Sequence, residues 1–258
     1  AYILQNEDQR IVFVIPYQDD FTLIGTTDKA YSGDPSQVAM DADEEQYLLD
    51  IVNKHFKQRI NSEDILWKYA GVRPLCDDES DSPSAMTRDY TLEVQADDSQ
   101  QAPLLSIFGG KITTYRRLAE SALEKVGHHL PDLPGPWTAG VALPGGDFAV
   151  AGVPDLLQKL RADYPFLTDF WSTRLIRAYG TDAWNLLGTA SRAEDLGVDF
   201  GATLTEAEVR WLMTQEFARA AEDILWRRSK LGLRIDAGGA AALADWMRTH
   251  GTVVTGQG

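Results

Sequence analysis

Residues 108–117 read FGGKITTYRR. An apolar run stops at Gly109-Gly110, a lysine and two threonines follow, and a helical pattern then begins. Paired glycines let the backbone approach a ligand closely, because no Cβ intervenes. The first turn of a helix offers unpaired N–H groups and partial positive charge. Lys111 adds a full charge, and Thr113 and Thr114 add hydroxyl donors. Such a turn suits an electron-rich ligand group. The plainer reading is a strand-to-helix turn with a capping threonine, and the local residues leave both readings open.

Two arginines bear on the choice. Arg73, in GVRP, precedes a proline. Proline biases the residue before it toward extended backbone, which can aim a side chain into a cleft. A guanidinium fork grips phosphate with two parallel hydrogen bonds. Arg88, in TRDY, opens the next predicted strand. Either arginine alone reads equally well as solvated surface. Together with Lys111, flanking loops and strands expected to belong to one sheet of an acidic protein, they point to an anion pocket.

Other chemistries find less support. A triphosphate-binding loop requires G-x-x-x-x-G-K-[ST], but Leu105 stands five before Gly110 and Ile112 follows Lys111. No G-x-G-x-x-G turn of a dinucleotide-binding βαβ unit occurs. His55, His128, His129 and His250 occupy no motif and read as structural or solvated. No metal site is read from the sequence. The single cysteine, Cys76, excludes an intrachain disulfide framework and suggests a reducing compartment.

The elements that must position these residues follow from pattern. The 258 residues carry 44% hydrophobic and 24% charged residues, ordinary for a soluble globular chain with a core. The net charge of −15 argues against non-specific binding to nucleic acid or anionic lipid. RIVFVIP and FTLIGTTD, separated by YQDD, predict an antiparallel hairpin. Residues 41–57 predict a helix capped by Asp41 or Asp43, with acidic residues in its first turn. Residues 65–75 predict a strand leading into a loop, 76–84 an acidic loop, 89–94 a strand, 102–108 a buried strand and 112–126 a helix.

After this the character changes. Proline and glycine in PDLPGPW and LPGG mark a linker. Beyond residue 152 only amphipathic helices are read, at about 154–163, 168–179, 181–188, 205–229 and 236–249, with a tail GTVVTGQG read as frayed or as a cloning remnant. The fold class is α+β: a mainly antiparallel sheet with helices over 1–135, a linker at 136–147, and an all-α domain over 148–258. No run of 18 apolar residues predicts a transmembrane helix, and the N-terminus lacks the pattern of a signal peptide. The abrupt, strand-like start without methionine suggests a piece of a longer chain.

Several segments then fall together. IGTTD (24–28), GVRPLCDDESDSPS (71–84), TRDYTLEV (87–94) and FGGKITTYRRLAE (108–120) resemble the flavin-dependent, aerobic glycerol-3-phosphate dehydrogenases. YPFLT (164–168), DLGVDFG (195–201) and LWRRSKLGL (225–233) resemble their C-terminal domain. The resemblance covers nearly the whole chain. It implies oxidation of sn-glycerol 3-phosphate to dihydroxyacetone phosphate, with FAD as hydride acceptor and quinone as electron sink. It implies peripheral attachment to the inner face of the cytoplasmic membrane.

The resemblance also assigns roles. Arg73 and Lys111 fall on the family's catalytic and substrate-binding cations, and Arg88 is a third substrate contact. Gly109, Gly110, Lys111, Ile112 and Thr113 fall beside the flavin, where their backbone donors would stabilise developing negative charge. The family's FAD-binding half, with its G-x-G-x-x-G turn and its histidine base, would lie upstream of Ala1. The chain is thus expected to be the C-terminal portion, inactive alone, holding FAD weakly or not at all. It is expected to expose apolar surface, with a homodimer as one consequence. Two other readings remain at this point: a helical docking module, and an oxidase that passes electrons to oxygen.

Overall fold

The computed structural model describes residues 1–73, 89–95, 102–130 and 133–254. The chain divides into two compact units, Ala1–Ala139 and Gly140–Gly258.

The first unit opens with an antiparallel three-stranded sheet, β1 (Tyr2–Gln5), β2 (Ile11–Tyr17) and β3 (Phe21–Gly25), in sequential order. The predicted hairpin is β2–β3, with Tyr17 opposite Phe21 across the turn. Gln18 and Asp19 take positive φ of 49° and 66° there, the backbone a tight two-stranded turn requires. Helix α1 (Ala42–His55) follows, and Asp41 closes a reciprocal capping box with Glu44. Leu48 and Val52 of α1 meet Leu4, Val12 and Val14 of the sheet in the unit's small core.

A separate two-stranded ribbon, β4 (Thr91–Gln95) and β5 (Leu104–Phe108), is antiparallel, with Thr91 opposite Phe108. A 3₁₀ turn (Ile112–Thr114) leads into α2 (Tyr115–Val126), which lies against β4. Tyr90 Oη and Ser121 Oγ, 3.3 Å apart, join the ribbon to α2.

The second unit is helical: α3 (Val153–Asp163), α4 (Asp169–Tyr179), α5 (Ala183–Leu187), α6 (Glu206–Gln215) and α7 (Ala237–Val254). Its core runs from Leu160 through Leu175, Leu204, Leu212 and Ile224 to Leu243, all fully buried. Arg174 spans this core edge. Its two terminal nitrogens meet both Glu208 oxygens at 2.6 Å, and Tyr179 Oη donates to Glu208 Oε1 at 2.7 Å.

Four expectations need correction. In the segment 65–75, predicted as a strand leading into a loop, the described residues 65–73 form no strand. No neighbouring strand is present among the described residues to complete a ladder there, and β-rich composition without a partner does not make a strand. Strand β5 exists but is not buried: Leu104, Ile107 and Phe108 are about half exposed, because a two-stranded ribbon has few layers to cover it. The helix expected over 205–229 is two elements. Phe217 turns left-handed at φ 61°, and the chain resumes in a π-helical turn, Asp223–Arg228. The C-terminal tail continues α7 as far as Val254 rather than fraying at Gly251.

Candidate functional site

The Gly-Gly-Lys turn is built as its residue types require. Gly109 and Gly110 have φ of 73° and 107°, a region that favours glycine. A Cβ on Gly110 would stand 3.6 Å from Leu118 Cδ2 and 3.8 Å from Tyr90 Cβ. There is room for a side chain, so the glycine is required for its backbone conformation. After Lys111 the chain winds into the 3₁₀ turn, where Thr114 N–H donates to Lys111 O at 3.0 Å and Tyr115 N–H to Ile112 O.

The turn therefore presents a row of donors. Among the described residues, none accepts a hydrogen bond from the N–H of Gly110, Lys111, Ile112 or Thr113. The side chain of Ile112 is 88% exposed, so the outer side of this turn is open. The expectation of a capping threonine is corrected: Thr114 Oγ1 donates back to Lys111 O at 3.0 Å and caps no N–H. Lys111 is half exposed, with Nζ 4.0 Å from Asp89 Oδ1 at the foot of β4. An ion pair at that distance and exposure is weak and leaves the ammonium available.

Arg73 stands on a different part of the unit. It ends the irregular stretch 65–73, and its Nη1 donates to Asp28 Oδ2 at 2.8 Å. Asp28 lies just past β3, in a loop pinned to the start of α1. Thr27 Oγ1 donates to Glu44 Oε1 at 2.5 Å, and Lys29 Nζ pairs with Asp41. Lys29 is the main cause that holds the Asp41 carboxyl below its usual range, with the Glu44 N–H second. Lys68, also in the irregular stretch, reaches Glu45 at 2.6 Å. The acidic first turn of α1 thus anchors both loops beside Arg73.

This revises the expected grouping. Arg73 is associated with the three-stranded sheet and Lys111 with the ribbon, so the cations do not flank one sheet. No hydrogen bond or ion pair among the described residues joins Arg73 to the Gly-Gly-Lys turn. Arg88 lies outside the described residues, as does the loop predicted at 76–84. Sequence reasoning missed Asp28 as the partner of Arg73. The signal was present in GTTD directly after a strand, but pairing across 45 positions has no local signature.

His250 stacks on Trp246 with centroids 4.4 Å apart, and its Nδ1 lies 2.8 Å from Thr249 Oγ1. Among the described residues, no helix is long and apolar enough to cross a membrane.

Comparison with known proteins places these motifs. A family model described as FAD dependent oxidoreductase matches residues 1–116. One described as the C-terminal domain of alpha-glycerophosphate oxidase matches residues 136–250. The aerobic glycerol-3-phosphate dehydrogenase of Escherichia coli is 50% identical over 96% of this chain and 49% of its own length. The glycerol-3-phosphate dehydrogenase of Pseudomonas aeruginosa is 51% identical over 97% of this chain and 48% of its own length. The D-erythritol 1-phosphate dehydrogenase of Brucella abortus is 43% identical over 95% and 49% respectively. The chain spans about half the length of these curated relatives.

Proposed function

Because the chain belongs to the FAD-dependent glycerol-3-phosphate dehydrogenase family and spans about half the length of its curated members, we propose that it forms the substrate and flavin-facing portion of such an enzyme. The reaction is oxidation of sn-glycerol 3-phosphate to dihydroxyacetone phosphate. FAD supplies the acceptor for the hydride that leaves C2. The electrons pass on to quinone, with the enzyme held peripherally at the inner face of the cytoplasmic membrane.

The observation that carries this reading is the Gly-Gly-Lys turn. Its four N–H groups, open among the described residues, and the adjacent ammonium suit the electron-rich edge of a flavin, and the positive-φ glycines give the backbone the turn that presents them. Gly109, Gly110, Lys111, Ile112 and Thr113 would hold that edge. Arg73 would grip the substrate phosphate. Among the described residues only its Nη1 is engaged, by Asp28, which leaves the rest of the fork for the anion. Arg88 would be a second phosphate contact. In this scheme 1–135 carries the chemistry, 136–147 links, and 148–258 forms the helical domain.

The chain alone turns over nothing. The test is dye reduction with saturating FAD and sn-glycerol 3-phosphate, first by the chain alone and then with the FAD-binding portion supplied. Turnover by the chain alone, or none by the assembled pair, overturns the reading. A second reading concerns the acceptor. One matched family model is described by an oxidase, so oxygen consumption by the assembled enzyme, in place of quinone reduction, would favour direct transfer to oxygen. The docking-module reading has less support, because the amphipathic helices of the second unit spend their apolar faces on their own core.

A further inference from the structure

Among the described residues Arg73 has one ion-pair partner, and the loop of that partner is held on both sides. Arg73 Nη1 donates to Asp28 Oδ2 at 2.8 Å, and the two side chains are 43% and 35% exposed. An ion pair this exposed contributes little to folding. What it fixes is direction. A guanidinium is planar, so tying one nitrogen aims the others. The edge formed by Nε and Nη2 keeps the fork that a phosphate takes with two parallel hydrogen bonds.

Asp28 can aim Arg73 only from a fixed loop, and its two neighbours fix it. Thr27 and Lys29 both reach the first turn of α1, while Asp28 between them goes to Arg73. Each carboxylate that anchors the loop serves twice. Asp41 takes the Glu44 N–H on Oδ1 at 2.9 Å and the Lys29 ammonium on Oδ2. Glu44 takes the Asp41 N–H on Oε2 at 3.2 Å and the Thr27 hydroxyl on Oε1 at 2.5 Å. The helix cap and the loop brace are therefore the same two side chains. Lys68, earlier in the stretch that ends at Arg73, reaches Glu45 Oε2 at 2.6 Å. One helical turn thus ties down both segments that the Asp28–Arg73 pair bridges.

By charge alone, a carboxylate beside an anion-binding arginine opposes the anion. A braced carboxylate offsets that loss by preorganisation. Ordering a long, free side chain at the moment of binding weakens affinity, and an arginine already aimed avoids most of that penalty. We infer that Asp28 is a positioning residue for the proposed oxidation, acting through Arg73 and touching no substrate itself. This rests on the reading that Arg73 grips the substrate phosphate.

The experiment is a double-mutant cycle in the assembled enzyme, with KM and kcat for sn-glycerol 3-phosphate measured for Asp28→Ala, Arg73→Ala and the pair. Asp28→Ala should raise KM roughly fivefold to tenfold and change kcat by less than about twofold. In the Arg73→Ala background it should move KM by less than about twofold, because the residue it acts through is gone. Asp28→Asn keeps an acceptor for Nη1 and should recover most of the loss. A merely structural role would lower the active fraction, and with it kcat, whatever stands at position 73. Nitrogen-15 NMR of the chain alone gives a readout independent of FAD and turnover: the Arg73 guanidinium should rotate about its Nε–Cζ bond more slowly than in Asp28→Ala. Three results each overturn the inference: a KM unchanged or lowered by Asp28→Ala, an equal effect in the Arg73→Ala background, or equal rotation rates. With an active wild-type enzyme these defeat the role of Asp28 alone. An assembled wild-type enzyme that does not oxidise sn-glycerol 3-phosphate defeats the proposed function, and the role of Asp28 with it.

Discussion

Replacing Glu208 with alanine should be the most damaging single change in the helical unit. The carboxylate side chain is 1% exposed and the Arg174 side chain 9%. Arg174 meets both carboxylate oxygens at 2.6 Å, and its Nε and Nη2 donate at 2.9 Å to Thr203 Oγ1 and O. Tyr179 adds a third donor to Glu208 at 2.7 Å. Every charge in this network is paired, so the intact pair contributes little net stability relative to an apolar core. Removing one partner is different. Alanine leaves a buried guanidinium and a buried phenol without their acceptor, at a cost of about 3–5 kcal/mol. For a unit of this size that corresponds to a fall in Tm of roughly 10–20 °C. Five of the seven tryptophans lie in this unit, so urea unfolding followed by tryptophan fluorescence reports it selectively. The double variant Arg174→Met with Glu208→Leu should recover most of the loss, because it removes both charges together. A loss below about 1 kcal/mol for Glu208→Ala would refute the reasoning, since that is the worth of an exposed pair. The same network sets an alkaline limit. Burial, and then the charge of Glu208, push the Tyr179 phenol well above its ordinary range. A raised folded-state value means the stabilisation is complete below about pH 10 and is lost as pH rises beyond it.

Asp195 should titrate at about 2, because the Ser191 N–H and then the Arg192 guanidinium stabilise its carboxylate. Its contribution is present above the unfolded value near 3.9 and lost as pH falls toward 2. Carbonyl-carbon NMR reads the midpoint directly, and a midpoint near 4 would show the turn is not formed. Gly145→Ala should destabilise the helical unit by more than about 2 kcal/mol, since its Cβ would stand 2.0 Å from Tyr179 O where Thr181 N–H donates to Gly145 O. Thermal unfolding tests this, and a change below 1 °C would sink it. In the assembled enzyme, Arg73→Ala should raise KM for sn-glycerol 3-phosphate about 10- to 100-fold, the worth of a charged hydrogen-bonded contact. An unchanged KM would remove Arg73 from the substrate site.

The local elements were legible because their causes are local. Asp41, one of the two caps read for α1, does cap it, and the structure adds the reciprocal bond from Glu44 that completes a capping box. YQDD between two β-branched runs announces the hairpin, and paired glycines after a strand announce the positive-φ turn at Gly109-Gly110. Periodicity alone located α3, α4 and α5, whose apolar faces meet their own unit's core.

What the sequence could not decide is whatever depends on a distant neighbour. Residues 65–73 have strand composition, yet a strand exists only where another supplies its hydrogen bonds. The run from 205 to 229 has helical periodicity throughout, yet Phe217 breaks it with a left-handed backbone. Asp28 reaches Arg73 across 45 positions and Glu208 reaches Arg174 across 34, and no spacing rule encodes either pair. Composition and period determined which residues wanted burial, capping or a turn. Tertiary structure alone decided which of them met, because side-chain pairing and sheet coverage are set by the packing of elements and not by the order of residues within them.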